Sequence, residues 1–274
     1  MIAGLSLTTL LLILLAGIGA GFVGYAVGAS SLVSYPALLA LGIPPVMANA
    51  SNTVGVIGTG VGGMLGARRE LAGQTGRVVA YIAIGAAGGV AGAFLLLGLD
   101  PTVFEYLAPA LILFSAVLIG LNPRGRMQAR LASADVRAQL DGGAPALDRP
   151  VQSMRDDAWW VWLGVCSVAV YSGYFGAGAG TLGLAMLDAA RIGPFHKINA
   201  LKTLVGMGAN ISASVIFIAK GVVDWPAAVM LCVGCFIGGY IAPPITRRIP
   251  AKAMRAAAVV AGVILAADLA LKTY

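Results

Sequence analysis

The sequence predicts an all-α polytopic membrane protein made of two inverted-topology repeats of about five helical segments each, with short broken helices meeting at a central site. Three observations predict it: a composition too apolar for water, ten apolar segments divided by glycine, proline and charge, and an internal match between the two halves of the chain. Of 274 residues, 59% are hydrophobic and 11% charged, and the mean hydropathy is +0.91. Soluble domains carry about 25% charged residues, so an ordinary soluble enzyme is excluded. Glycine fills 38 positions, and glycine dispersed through apolar runs lets helices pack backbone to backbone. The net charge of +7 does not mark a nucleic-acid surface. Most of the cations lie in short stretches between apolar runs, where they read as topology signals.

The apolar segments run over residues 5–27, 31–41, 47–67, 78–99 and 103–121, then 159–175, 182–190, 198–219, 225–241 and 251–271. Eight are long enough, or nearly so, for a hydrocarbon core that needs about 20 helical residues. Segments 31–41 and 182–190 are too short unless they draw on their glycine-rich flanks. Residues 1–20 lack a positive leading stretch and read as a retained helix rather than a cleaved leader. Between the fifth and sixth segments, residues 122–157 hold six Arg and five Asp. They form a polar linker between a first membrane repeat, 1–121, and a second, 158–274.

The halves match at an offset of 150. Gly28 aligns with Gly178, Ala29 with Ala179, Leu32 with Leu182, Ala40 with Ala190 and Pro44 with Pro194. Asn49-Ala50 then meets Asn199-Ala200, Thr53 meets Thr203, and Gly58 meets Gly208. The paired Pro, Asn-Ala and Thr carry the weight, because alanine and glycine coincide by chance in any membrane protein. An internal repeat follows.

Charge sets the orientation. Arg68, Arg69 and Arg77 flank one loop; Arg124, Arg126 and Arg130 open the linker; Arg191 and Lys197 flank another loop; Arg247, Arg248, Lys252 and Arg255 mark a fourth. The positive-inside rule places all four in the cytoplasm. The last agrees with the linker only if segment 182–190 crosses the membrane. Each half then has five segments, an odd number, so the repeats are inverted and both termini lie outside. The opposing count is eight crossings with two re-entrant segments.

Ionisable groups within the apolar segments are few: Glu105, Asp188, Lys202 and Asp268. Glu105 and Asp268 lie near segment ends. Lys202 sits about 6 Å into a helix that starts near Ile198, and Asn199, three residues earlier, shares its face. Lysine at membrane depth is costly and faces a cavity or partner; here it serves either as an anion ligand or as a snorkelling interface anchor. Two glycine-rich breaks favour the first. Gly24 to Ser31 contains Gly28, Ser30 and Ser31, and Gly176 to Thr181 contains Gly178, Gly180 and Thr181. Broken helices expose N–H groups and a positive dipole end to a small anion. Polar runs at equivalent places after each break add Asn49, Asn52 and Thr53, and Asn199, Lys202 and Thr203. Asn210, Ser212 and Ser214 are weaker candidates. Asp188 aligns with Leu38 and could couple protons, but Arg191, three residues on, offers a plain ion pair.

No enzyme signature, metal site or cofactor motif is present in the sequence. His196 is a lone loop histidine, and Gly176-x-Gly-x-Gly180 follows no strand. The Cys232-x-x-Cys235 pair has no second Cys or His pair beside it.

With these residues in place, the sequence resembles the TauE/SafE family of sulfite exporters and related permeases. The second half carries most of the likeness: Gly173 to Gly180, Asn199-Ala-Leu-Lys202, Gly221-Val-Val-Asp224-Trp225-Pro226, Gly238-Gly239 and Arg247-Arg248-Ile-Pro250. The first half adds Gly24, Gly28, Pro36, Gly42-Ile-Pro44-Pro45 and Arg68-Arg69. It departs from the family's run of three glycines with Gly28-Ala29-Ser30. The resemblance implies proton-driven export of small sulfur-containing anions, such as sulfite or organosulfonates, across the cytoplasmic membrane. The expected partners are that anion and the lipid bilayer, without nucleic acid; association into a homo-oligomer stays open. An anion channel and a non-transporting membrane assembly protein are the alternatives.

The topology has a direct check. Cysteine labelling is expected to find the 122–157 linker and Arg247 on the cytoplasmic side and Tyr274 outside. Arg247 and the linker on opposite faces would overturn the five-plus-five arrangement.

Overall fold

The structure, a computed structural model, describes residues 6–66, 75–121, 158–190, 192, 195–246 and helical positions between 256 and 271. The linker and the cations Arg68, Arg69, Arg124, Arg126, Arg130, Arg191, Arg247, Arg248, Lys252 and Arg255 lie outside the described residues. So do the side chains of Asp188, His196 and Lys197.

All regular structure among the described residues is helical. The elements are α1 (Leu7–Val27), α2 (Ser31–Ala40), α3 (Pro45–Gly66), α4 (Thr75–Gly98), α5 (Pro101–Leu121), α6 (Trp159–Tyr174), α7 (Ala179–Ala189), α8 (Phe195–Ala219) and α9 (Trp225–Thr246). Several begin two or three residues before the apolar runs do. Pro45 and Pro101 each occupy a first helical position, where a missing N–H costs nothing. Among the described residues, α1, α4, α5, α8 and α9 are long and apolar enough to cross a membrane. α3 is as long, at 22 residues, but carries Asn49, Ser51, Asn52, Thr53 and Thr59. α2 and α7, at 10 and 11 residues, span about 15 Å each, half a hydrocarbon core.

The outer surface is apolar. Leu11, Leu15, Phe94, Phe114, Val215 and Val233 are exposed along the long helices, which makes lipid rather than water the fitting surroundings.

Glycine sets the packing. A Cβ on Gly17 would fall 2.8 Å from the Leu231 carbonyl oxygen, and one on Gly21 2.3 Å from that of Cys235. Gly58 meets Cys232 and Gly62 meets Phe236 in the same way. Contacts that advance together along both chains mean that α1, α3 and α9 run parallel, with α9 between the other two. On the other side α4 lies between α6 and α8. Gly85 meets Val205 and Gly89 meets Ala209, while Gly88 meets Ala169 and Gly92 meets Gly173, so this trio is parallel too. Each half thus lends its fourth helix to the first and third helices of the other half.

The two trios meet with opposite sense. Gly60 lies against Met207 and Gly63 against Thr203, so α3 and α8 run antiparallel. With α1 and α3 parallel, the chain must turn back between them, and α2 lies on that return path.

Close backbone packing predicts sharp sensitivity. Gly21→Ala should lower the melting temperature of the purified protein, since overpacking costs about 1–3 kcal/mol and the nearest atoms are backbone. Gly206→Ala, whose Cβ would meet nothing within 4 Å, should leave it unchanged. Equal melting of the two variants would refute the packing account.

Candidate functional site

Two helix breaks carry matched glycines. Gly28 ends α1 with φ +83°, and its N–H donates to the Gly24 carbonyl at 2.8 Å. Gly178, its partner at an offset of 150, has φ +71° and precedes α7. Both backbones lie in the left-handed region where a Cβ is strained. The second break is pinned by α5 and by α6: Ser115 Oγ and Tyr171 Oη donate to the Ala177 carbonyl at 2.6 and 2.8 Å.

Side chains from the opposite half donate to final-turn carbonyls beside the breaks. Thr181 Oγ1 donates to the Val27 carbonyl at 2.5 Å. Asn49 Nδ2 donates to the Tyr174 carbonyl at 3.0 Å. Asn199 Nδ2 and Lys202 Nζ both reach the Tyr25 carbonyl, each at 3.5 Å. Thr53 and Thr203 donate back to the carbonyls of Asn49 and Asn199, both at 2.9 Å.

Between the breaks lies a cavity of about 80 Å³, room for several waters at about 10–15 Å³ each or for one small polyatomic ion. Its wall contains five pairs related by the offset of 150: Ser30 and Gly180, Asn52 and Lys202, Thr53 and Thr203, Val56 and Gly206, and Gly60 and Asn210. Gly28, Ser31 and Thr59 complete much of the polar rim. The N-terminal residues of α2 and α7 both line the cavity, so two positive helix ends face it. Asn52 is 1% exposed and Lys202 5%. Asn52 is held by α2: its Nδ2 donates to Ser31 Oγ at 2.9 Å, and Ser34 Oγ donates to its Oδ1.

Of the residues singled out in the sequence, Gly28, Ser30, Ser31, Asn52, Thr53, Gly180, Lys202 and Thr203 line this cavity. Asn49, Asn199, Gly178 and Thr181 do not. Asn49 and Asn199 are 0% and 3% exposed and lie one turn outside it, while Gly178 packs against Ser115. The helix carrying Lys202 starts at Phe195, so the lysine lies about 10 Å in rather than 6 Å. Sequence reasoning passed over Thr59, Gly206 and Ser172 and ranked Asn210 low. Helical spacing from Asn52 through Val56 to Thr59 and Gly60, applied again at the same offset, points to Gly206 and Asn210 but not to Ser172.

Comparison with known proteins follows the same lines. The profile of the family described as sulfite exporter TauE/SafE matches residues 13–269. A probable membrane transporter protein, ORF9, from a Sinorhizobium species is 24% identical over 250 residues, covering 90% of this chain and 87% of its own. The probable membrane transporter protein YfcA of Escherichia coli K12 is 25% identical over 251 residues, covering 91% of this chain and 85% of its own. No solved structure matches the chain.

Proposed function

The chain belongs to the sulfite exporter TauE/SafE family, a family of membrane transporters rather than enzymes, and from that premise we propose that it is a secondary transporter exporting a small sulfur-containing anion, such as sulfite or an organosulfonate. One observation carries the reading: a lysine only 5% exposed lines a cavity that also receives the N-terminal ends of two short helices. An ammonium, two dipole ends and hydroxyl and amide donors make an environment for an anion. Gly28 and Gly180 let that anion approach the backbone closely.

The antiparallel run of α3 and α8 and the paired positions of the cavity wall support an inverted-repeat transporter with its site between the repeats. The register puts the far ends of α3, α5 and α9 and the starts of α4, α6 and α8 on one side. Every cationic loop of the sequence adjoins that side, so we assign it to the cytoplasm of the inner membrane. Asn52 occupies the place in the first half that Lys202 occupies in the second. Among the described residues that line it, the site therefore has one cation, suited to compensating one negative charge. An anion bound against Lys202 shares its proton balance with that lysine, which offers a route from the pH gradient to export without a dedicated carboxylate.

Radiolabelled sulfite in proteoliposomes tests the reading. Flux should accumulate sulfite against its concentration when a pH gradient is imposed; flux that never exceeds equilibration would make the protein a channel. Lys202→Met keeps the stem and removes the charge. A charge-assisted hydrogen bond contributes about 1.5–3 kcal/mol, so apparent affinity should fall roughly 10- to 150-fold. A change within about twofold would reduce Lys202 to an interface anchor.

A further inference from the structure

Asn49 and Asn199 are paired by the repeat, yet neither lines the cavity. Asn49 precedes the lining residue Asn52 by three positions, and Asn199 precedes Lys202 by three. Each donates its amide to a carbonyl in the last turn of the first helix of the other half, Asn49 to Tyr174 and Asn199 to Tyr25. Both bonds cross between the parallel trios, from α3 to α6 and from α8 to α1. With Gly63 opposite Thr203 and α3 antiparallel to α8, the two asparagines lie about 27 Å apart along the helix axes. That is close to the roughly 30 Å of a hydrocarbon core. One contact stands at each end of the path, with the cavity between them.

The ends are not equal. The Asn49 bond is 3.0 Å long, and the neighbouring rings of Tyr35, Phe104, Tyr174 and Phe175 pack edge to face at 5.4 to 6.0 Å, all buried. At the other end the positions matching Tyr35, Tyr174 and Phe175 are Ala185, Gly24 and Tyr25. Tyr25 is only half-buried, and the Asn199 bond is 3.5 Å, beyond the usual range for N–H···O.

We propose that Asn49 and Asn199 are gating residues, each latching one end of the transport path onto a carbonyl beside a helix break, and that this structure is the state closed at Asn49 and slack at Asn199. The inference rests on the transport reading. Rocking of the α1–α3–α9 trio against the α4–α6–α8 trio tightens one latch as it stretches the other. The site is wired to the slack latch, because Lys202 and Asn199 reach the same Tyr25 oxygen. An anion that draws the ammonium into the cavity leaves that carbonyl to Asn199, so binding favours closure behind the substrate.

The test uses Gly206→Cys as reporter, in a full-length background with Cys166, Cys232 and Cys235 replaced by Ala. Gly206 lines the cavity and has open space where a side chain would go. A membrane-impermeant maleimide is applied to right-side-out and inside-out vesicles without substrate. The reporter should react from the side bearing the linker. Asn49→Leu, which keeps the side-chain size, should raise labelling from the opposite side about tenfold, the effect of losing one buried hydrogen bond. Asn199→Leu should leave that side protected. General loosening would speed labelling from both sides, so sidedness separates a latch from a packing residue. Unmoved sidedness, or a shift of the same sign in both variants, would overturn the proposal. If Asn49→Leu fails to insert, Asn49→Ala gives the same reading. Shifted sidedness in a protein that moves no sulfite would keep the latches and reject the substrate; sulfite flux with unmoved sidedness would do the reverse.

Discussion

The backbone of Gly28 is pressed against that of Gly180: a Cβ on the first would fall 2.4 Å from the second's carbonyl carbon, and a Cβ on the second 2.7 Å from the first's Cα. No side chain fits at either place. This contact holds the ends of α1 and the start of α7 together at the middle of the molecule, and the site depends on it. It brings Thr181 to the Val27 carbonyl, and it sets Ser30 and Gly180 on facing walls of one cavity. Beside the breaks that make it possible, the Tyr25 and Tyr174 carbonyls accept from Asn199 and Asn49.

The rest of the packing repeats this logic with helices in place of loops. Gly58 lies against the Cys232 carbonyl, and Gly208 against that of Ile82; both members of each contact are related by the same offset of 150. The exchange of α4 and α9 between the halves makes two tightly packed trios whose meeting line, α3 against α8, carries the cavity. A transporter needs rigid units with a softer seam, and here the seam coincides with the polar residues. Symmetry ends at the charge: Asn52, held by Ser31 and Ser34, lines the same cavity as its counterpart Lys202, and only one of them is a cation.

Much of this was legible in the sequence, because it rests on residue types whose physical demands are narrow. Glycine in an apolar run means close approach or a broken helix, and Gly28 and Gly178 are both. Asn-x-x-Lys and Asn-x-x-Asn after matched breaks located the face that lines the cavity. What did not show was which polar groups point inward. Asn49 and Asn199 look like ligands in the sequence, but each donates to a carbonyl in the opposite half, and no local pattern reveals a partner 125 or 174 residues away. Gly206 and Asn210 resemble packing and solvation positions until the repeat offset is applied to Val56 and Gly60. The exchange of fourth helices was invisible for the same reason, since it is a property of long-range pairing. The charges on which the expected orientation rests, from Arg68 to Arg255, were read from the sequence alone.

The central claim is that one small anion sits between the two breaks against Lys202. The most direct measurement is a structure determined with selenite, a heavier analogue of sulfite whose selenium is located by anomalous scattering. The account predicts a single selenium peak in the cavity, its oxygens within hydrogen-bond reach of Lys202 Nζ and of the backbone between Gly28 and Gly180, and no such peak in Lys202→Met. A cavity without selenium beside anion bound elsewhere, or an undiminished peak in the variant, would contradict it.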